Sequence, residues 1–258
     1  MHLSLSSVLL VLLAVPALST GMASAASQPS AQSAPTSPAA TPDVPAPVDV
    51  AQLQSTAQSI VDAFAAEVAR ARGATLAPTP AVEVRDTPQL IFFNGEANGI
   101  VVPRWETQPE PMRAVFRTFA AGDDAGAERL FRAFFNRFLV AHEAAHWFQS
   151  KAGRREATLY ANENSANRLA VAFWRTQPDG ERVLSELEQL ATQAAAALPD
   201  PTPLGEDPVA FFGANYQTLG QDPLKYGYYQ FRFMADALRE RSQLDFARMV
   251  EGRNGAGS

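Results

Sequence analysis

Val140-Ala141-His142-Glu143-Ala144-Ala145-His146-Trp147 sets two histidines four residues apart around a glutamate, an H-E-x-x-H pattern. The apolar positions leading into it (Leu130, Phe131, Phe134, Phe135, Phe138 and Leu139) recur at helical spacing, and His142, Ala145, His146 and Gln149 continue the stripe. The spacing predicts one helix from about Ala125 to Lys151, stopped near Gly153, with Arg129, Arg132 and Arg137 off the stripe. On such a helix residues i and i+4 lie one above the other, so both imidazoles can face one metal ion while Glu143 sits beside it. Zinc held by three protein groups leaves a fourth position for water, whose pKa falls to about 7, and needs a carboxylate to take the proton. The pattern therefore points to Zn²⁺ with His142 and His146 as ligands and Glu143 as the base.

Only three histidines occur, and the third, His2, belongs to a segment read below as cleaved, so the third ligand is expected to be a carboxylate. A second helix is predicted from Glu156 to about Gln177, ended by Pro178-Asp179-Gly180, and the short link makes it an antiparallel neighbour of the first. His146 lies about 7 Å from the Lys151 end, and Glu163 about 10 Å back along the return helix, at a rise of about 1.5 Å per residue. Glu163 is then level with the histidines, while Glu156 is at the turn. Leu159, Ala166, Leu169, Ala170 and Phe173 put an apolar face beside Glu163, where an unpaired carboxylate is costly.

Outward from this pair the chain reads as α+β and mostly helical. Val50 to Arg72 has Leu53, Ile60, Val61, Phe64 and Val68 at helical spacing and stops at Gly73. Val82–Arg85, Gln89–Phe93 and Gly99–Val102 are short β-branched or aromatic runs broken by Pro88, Asn94-Gly95 and Asn98-Gly99, expected to form a small antiparallel sheet packed beside the zinc-binding helix pair. Asp123-Asp124 reads as a helix N-terminal charge pair, and Glu181 to Leu198 as a packing helix.

The chain has 258 residues, 47% hydrophobic, a formal net charge of -6 and no cysteine. The charge gives no basic surface for nucleic acid or an anionic membrane, and the absence of cysteine excludes disulfides, thiolate zinc ligands and a thiol nucleophile. Val8 to Leu18 is an apolar run too short to span a membrane, followed by Ala23-Ser24-Ala25, so residues 1–25 read as a signal peptide and the protein as secreted or periplasmic, with no stable membrane span after cleavage. Residues 26–49, rich in Ala, Pro, Ser, Thr and Gln, read as a disordered linker; residues 50–251 as one domain; and 252–258 as a flexible tail.

His142-Glu143-Ala144-Ala145-His146 followed by Glu163-Asn164-Ser165-Ala166-Asn167 resembles the gluzincin type of zinc metallopeptidase over about thirty residues. The resemblance implies Glu163 as third ligand, Asn167 as support for a metal-bound histidine, a peptide or protein substrate, and an edge strand able to pair with it. The step from His146 to Glu163 is short for that clan, and no later histidine exists to stabilise an oxyanion. Tyr226, Tyr228, Tyr229, Lys225 and Arg232 supply donors, and one of the three tyrosines is the candidate for that task, although aromatic side chains there also suit a core. The metzincin pattern fails at Gln149 and Ala152. The alternative from another class is a non-catalytic zinc protein of the same fold that binds a partner or envelope component; an intact Glu143 and a set of only three ligands argue against it.

Overall fold

The computed structural model describes residues 49–87 and 90–252. The expected signal peptide and nearly all of the linker and tail lie outside the described residues, as do Pro88 and Gln89. Asp49, at the linker's end, caps helix α1 (Val50–Arg72): its carboxylate accepts the Ala51 N–H at 2.9 Å. The helix ends at Gly73, whose φ of 66° is the left-handed turn that glycine tolerates. Leu53, Ala57, Val61, Phe64 and Val68 form its single buried stripe.

Three strands follow: β1 (Ala81–Val84), β2 (Phe92–Asn94) and β3 (Gly99–Val102). Their spatial order is β1-β3-β2, with β2 antiparallel to β3 (Phe93 opposite Ile100) and β1 parallel to it (Val82 opposite Ile100). The sheet is therefore mixed, where an antiparallel one was expected. The reason lies in β3, whose Ile100, Val101 and Val102 are all buried; a run apolar on both faces suits a central strand, and the chain crosses past it between β1 and β2. The 94–99 turn forms as expected, with Asn94 Oδ1 accepting the N–H groups of Glu96 and Ala97.

Helices α2 (Glu110–Phe119) and α3 (Asp124–Ala133) lead to the segment that carries His142 and His146. Asp123 caps α3 by accepting the Gly126 N–H at 2.8 Å. The predicted single helix 125–151 is built instead as α3, a π-helical stretch at Phe134–Phe138, and α4 (Leu139–Lys151). Such wider turns inside α-helices are frequent at functional sites. Here the wider turn carries Phe135 against Phe131 and Phe116, at ring centroid distances of 4.9 and 5.5 Å. Every residue of α4 from Val140 to Gln149 is buried, because the helix packs against α1, the sheet and α5 (Leu159–Thr176).

Helix α5 begins three residues later than predicted, where the Thr158 hydroxyl accepts the Ala161 N–H. Then come α6 (Gly180–Ala197), α7 (Pro208–Gly220), α8 (Pro223–Arg239) and α9 (Phe246–Glu251). α6 is the expected packing helix, burying Val183, Leu184, Leu187, Ala191 and Ala194 against α5 and α8. α8 lies on α5 and brings its own side chains to the histidine cluster. Among the described residues no helix is long and apolar enough to cross a membrane.

Candidate metal centre

One turn of α4 stacks His142 on His146, and their Nε2 atoms stand 3.0 Å apart. Glu163 of α5 closes the triangle, with Oε2 3.4 Å from His142 Nε2 and Oε1 3.6 Å from His146 Nε2. Tetrahedral zinc with bonds of about 2.0–2.1 Å holds its ligand atoms roughly 3.3 Å from one another. The three groups thus have the identity and the spacing of a metal site, and this buried cluster can hold a metal ion. Glu156 is exposed in the link between α4 and α5, so the two glutamates are separated along the helix pair as expected.

The cluster is buried in an apolar interior, with His142 and Glu163 each 3% exposed and His146 5%. Burial works against the charged form of each group, but the pair overrides it. Glu163 lifts His146 to about 9 despite its desolvation, and the two histidines hold Glu163 well below the usual carboxylate range. Without a cation the site therefore behaves as an imidazolium–carboxylate pair. A cation bound there takes the place of a proton.

Neighbours orient the three side chains. Gln149 Oε1 lies 2.8 Å from His146 Nδ1, which as N–H donor leaves Nε2 with its lone pair facing the cluster, and the Gln149 amide in turn donates to Asn162 O at 3.3 Å. Gln230 Nε2 donates to Glu163 Oε2 at 3.0 Å, and the Tyr216 hydroxyl donates to Glu163 Oε1 at 3.4 Å. None of these three was picked out as a supporting residue in the sequence. Gln149 carried a readable signal, since it is three residues beyond His146 on the same stripe; Tyr216 and Gln230 arrive from α7 and α8 through tertiary packing.

Asn167 does not take the role that the resemblance implied. Its amide donates to the main-chain oxygen of Glu163 at 3.0 Å, and its buried Oδ1 has no hydrogen-bond partner, nor has the buried Nδ1 of His142. An asparagine one turn on from Glu163 has the carbonyl of its own helix within reach of its side-chain amide.

Of the three tyrosines on α8, only Tyr226 faces the cluster; its hydroxyl accepts from Gln230 Nε2 at 2.9 Å. Tyr228 donates to Asp200 Oδ2 at 2.7 Å and Tyr229 pairs with Thr202 Oγ1 at 2.6 Å, both on another face of α8. Arg232 is engaged by the Tyr228 hydroxyl, and Lys225 pairs with Asp222 at the helix start.

Glu143 is 5% exposed, and its Oε2 accepts the Phe93 N–H at 2.8 Å, so edge strand β2 holds the carboxylate in place. Burial raises its pKa; the two histidines and the Phe93 N–H oppose the rise, while Glu163 adds to it. Glu143, His142 and Glu163 together form one wall of a cavity of about 80 Å³ that also meets Tyr226 and Gln230. Leu90 lines the same cavity with φ at 58°, a left-handed conformation that leucine adopts at a cost on the order of 1–3 kcal/mol. A three-ligand site, a buried carboxylate beside it and an adjoining cavity together supply what metal-assisted hydrolysis requires. No family model, curated protein or solved structure matches the chain.

Proposed function

We propose that the protein is a secreted or periplasmic zinc metallopeptidase in which His142, His146 and Glu163 hold the ion and Glu143 moves the proton. The observation that carries this reading is the Nε2–Nε2–carboxylate triangle, with sides of 3.0, 3.4 and 3.6 Å, next to a carboxylate that is outside the triangle but on the wall of the same cavity. A bound zinc supplies Lewis acidity, lowering the pKa of water at its open position to about 7 and polarising a carbonyl. The protein's residues do the rest. Glu143, with Oε2 tied to Phe93 N–H, keeps its other oxygen to accept the proton of the attacking water and deliver it to the leaving amine. Gln149 fixes the His146 tautomer, and Gln230 and Tyr216 steady Glu163. Tyr226, on the wall of the same cavity, is the α8 phenol assigned in this reading to donate to a developing oxyanion. The sequence supports export, through the apolar run Val8–Leu18 and the Ala23-Ser24-Ala25 pattern.

Glu143→Gln separates an enzyme from a zinc-dependent binding protein. The amide is nearly isosteric and keeps an oxygen for the Phe93 N–H, so zinc content is expected to stay at that of the wild type. Turnover of a peptide library is expected to fall by roughly 10²- to 10⁴-fold, as removal of a general base does. Equal turnover by variant and wild type would remove Glu143 from the mechanism, and no turnover by zinc-loaded wild type would remove the peptidase reading.

A further inference from the structure

The cavity beside the cluster is polar at one end only. Away from His142, Glu143, Glu163, Tyr226 and Gln230 its wall is aliphatic and aromatic: Met112 and Phe116 from α2, Phe134 and Phe135 from the π-helical stretch, Met234 from α8, and Ile91. No lysine, arginine, serine, threonine, asparagine or aspartate lines it among the described residues. A peptide threaded through such a space would bury N–H and C=O groups without partners. A main-chain donor of the edge strand, the Phe93 N–H, is already held by Glu143. Its volume of about 80 Å³, on a measure where one water takes about 10–15 Å³, is room for about five to eight waters, enough for one apolar side chain or a short acyl chain. Resting on the metallohydrolase reading above, we infer that this cavity is the specificity pocket of the site, and that the substrate carries one compact apolar group, alkyl or aryl, adjacent to the scissile amide. An amino-acid side chain and a short acyl chain share that chemistry.

The probe is a series of hydroxamic acids (aceto-, butano-, hexano- and 3-phenylpropanohydroxamic acid) titrated by calorimetry into the full, zinc-loaded chain. Affinity is expected to rise about fourfold for each methylene buried until the cavity is full, while tails of equal length ending in ammonium or carboxylate gain nothing. A flat series, or equal gains with charged tails, overturns the inference. Val115, half-buried on the rim in α2, gives the variant test. Val115→Trp is expected to keep its zinc and flatten the series; Val115→Asp, which adds no bulk, tests the same wall should the tryptophan variant misfold. An undiminished slope in a folded variant overturns the assignment.

Competing amide substrates distinguish the two sources. Peptides with Leu or Phe beside the scissile bond win if the group is a side chain, and N-acyl amides of alanine win if it is an acyl chain. Hydrolysis that ignores the neighbouring group overturns this inference and leaves the hydrolase standing. A steep hydroxamate series without hydrolysis of any amide supports the pocket and overturns the peptidase. No binding of any hydroxamate overturns both.

Discussion

Gln149→Met tests whether the ring hydrogen bond on His146 tunes metal affinity. Methionine keeps the unbranched length of glutamine and removes the oxygen that faces His146 Nδ1 at 2.8 Å. His146 and Gln149 are both buried, so water does not replace the lost acceptor. A buried N–H left unpaired costs about 1–3 kcal/mol, or about 5- to 150-fold in zinc affinity. That range overlaps the 10- to 100-fold loss typical when a partner of a metal-bound histidine is removed. Chelator competition with a zinc indicator at pH 7.5 reads the change without reference to any substrate. Asn167→Ala is the comparison, because Asn167 hydrogen-bonds the main chain of Glu163 and neither histidine. It is expected to lower stability and to leave zinc affinity much closer to wild type. The reverse order, with Asn167→Ala losing zinc and Gln149→Met keeping it, would refute the reasoning.

Glu163→Gln is expected to cut zinc affinity sharply and Glu156→Gln to leave it unchanged, as read in the same titration; equal effects would undo the placement of the third ligand. In the metal-free protein His146 sits at about 9 against an ordinary 6.5, so its contribution to stability is whole below pH 6.5 and is lost as pH rises through 9. Glu163, held below its ordinary 4.5, contributes above that pH and loses its contribution as pH falls. The pair therefore stabilises metal-free protein most between pH 4.5 and 6.5. Zinc needs the neutral imidazole, so the rise in Tm on adding zinc is expected to grow from pH 6 to 9 in scanning calorimetry, and a flat or shrinking rise would contradict the proton exchange. Gly180→Ala places a Cβ 1.7 Å from the Trp174 carbonyl oxygen at the α5–α6 turn and is expected to destabilise by about 1–3 kcal/mol in urea unfolding; an unchanged midpoint would show that the turn can shift.

What the sequence revealed about the site depended on how local the geometry was. His142, Glu143 and His146 share one helix turn, and Glu163 was reachable because a short link constrains two antiparallel helices to matching heights. Gln230 and Tyr216 belong to helices whose approach is set by packing among α5, α7 and α8, and no short-range spacing encodes that. The parallel pairing of β1 with β3 had a partial signal in the unalternating Ile100-Val101-Val102. The π-helical stretch had none, since Phe134–Phe138 contains neither proline nor glycine and fits an α-helical stripe equally well. Asn167 shows how a resemblance can mislead at one position: its backbone carbonyl partner is nearer at hand than the imidazole it was expected to steady.

Helix α4 has no free face between Val140 and Gln149, and this bears on how such a protein can be redesigned. A substitution on that helix disturbs α1, the sheet or α5 before it alters the chemistry, so the ligand helix is a poor target for selection or design. Variation can accumulate on α2 and α8, each with one side toward solvent and the other on the cavity, where Val115 is half-buried. A mutational library on those two helices that spares Tyr226 and Gln230 would explore the cavity while leaving the triangle of His142, His146 and Glu163 in place, whereas one spread over α4 would mostly yield chains that fail to fold.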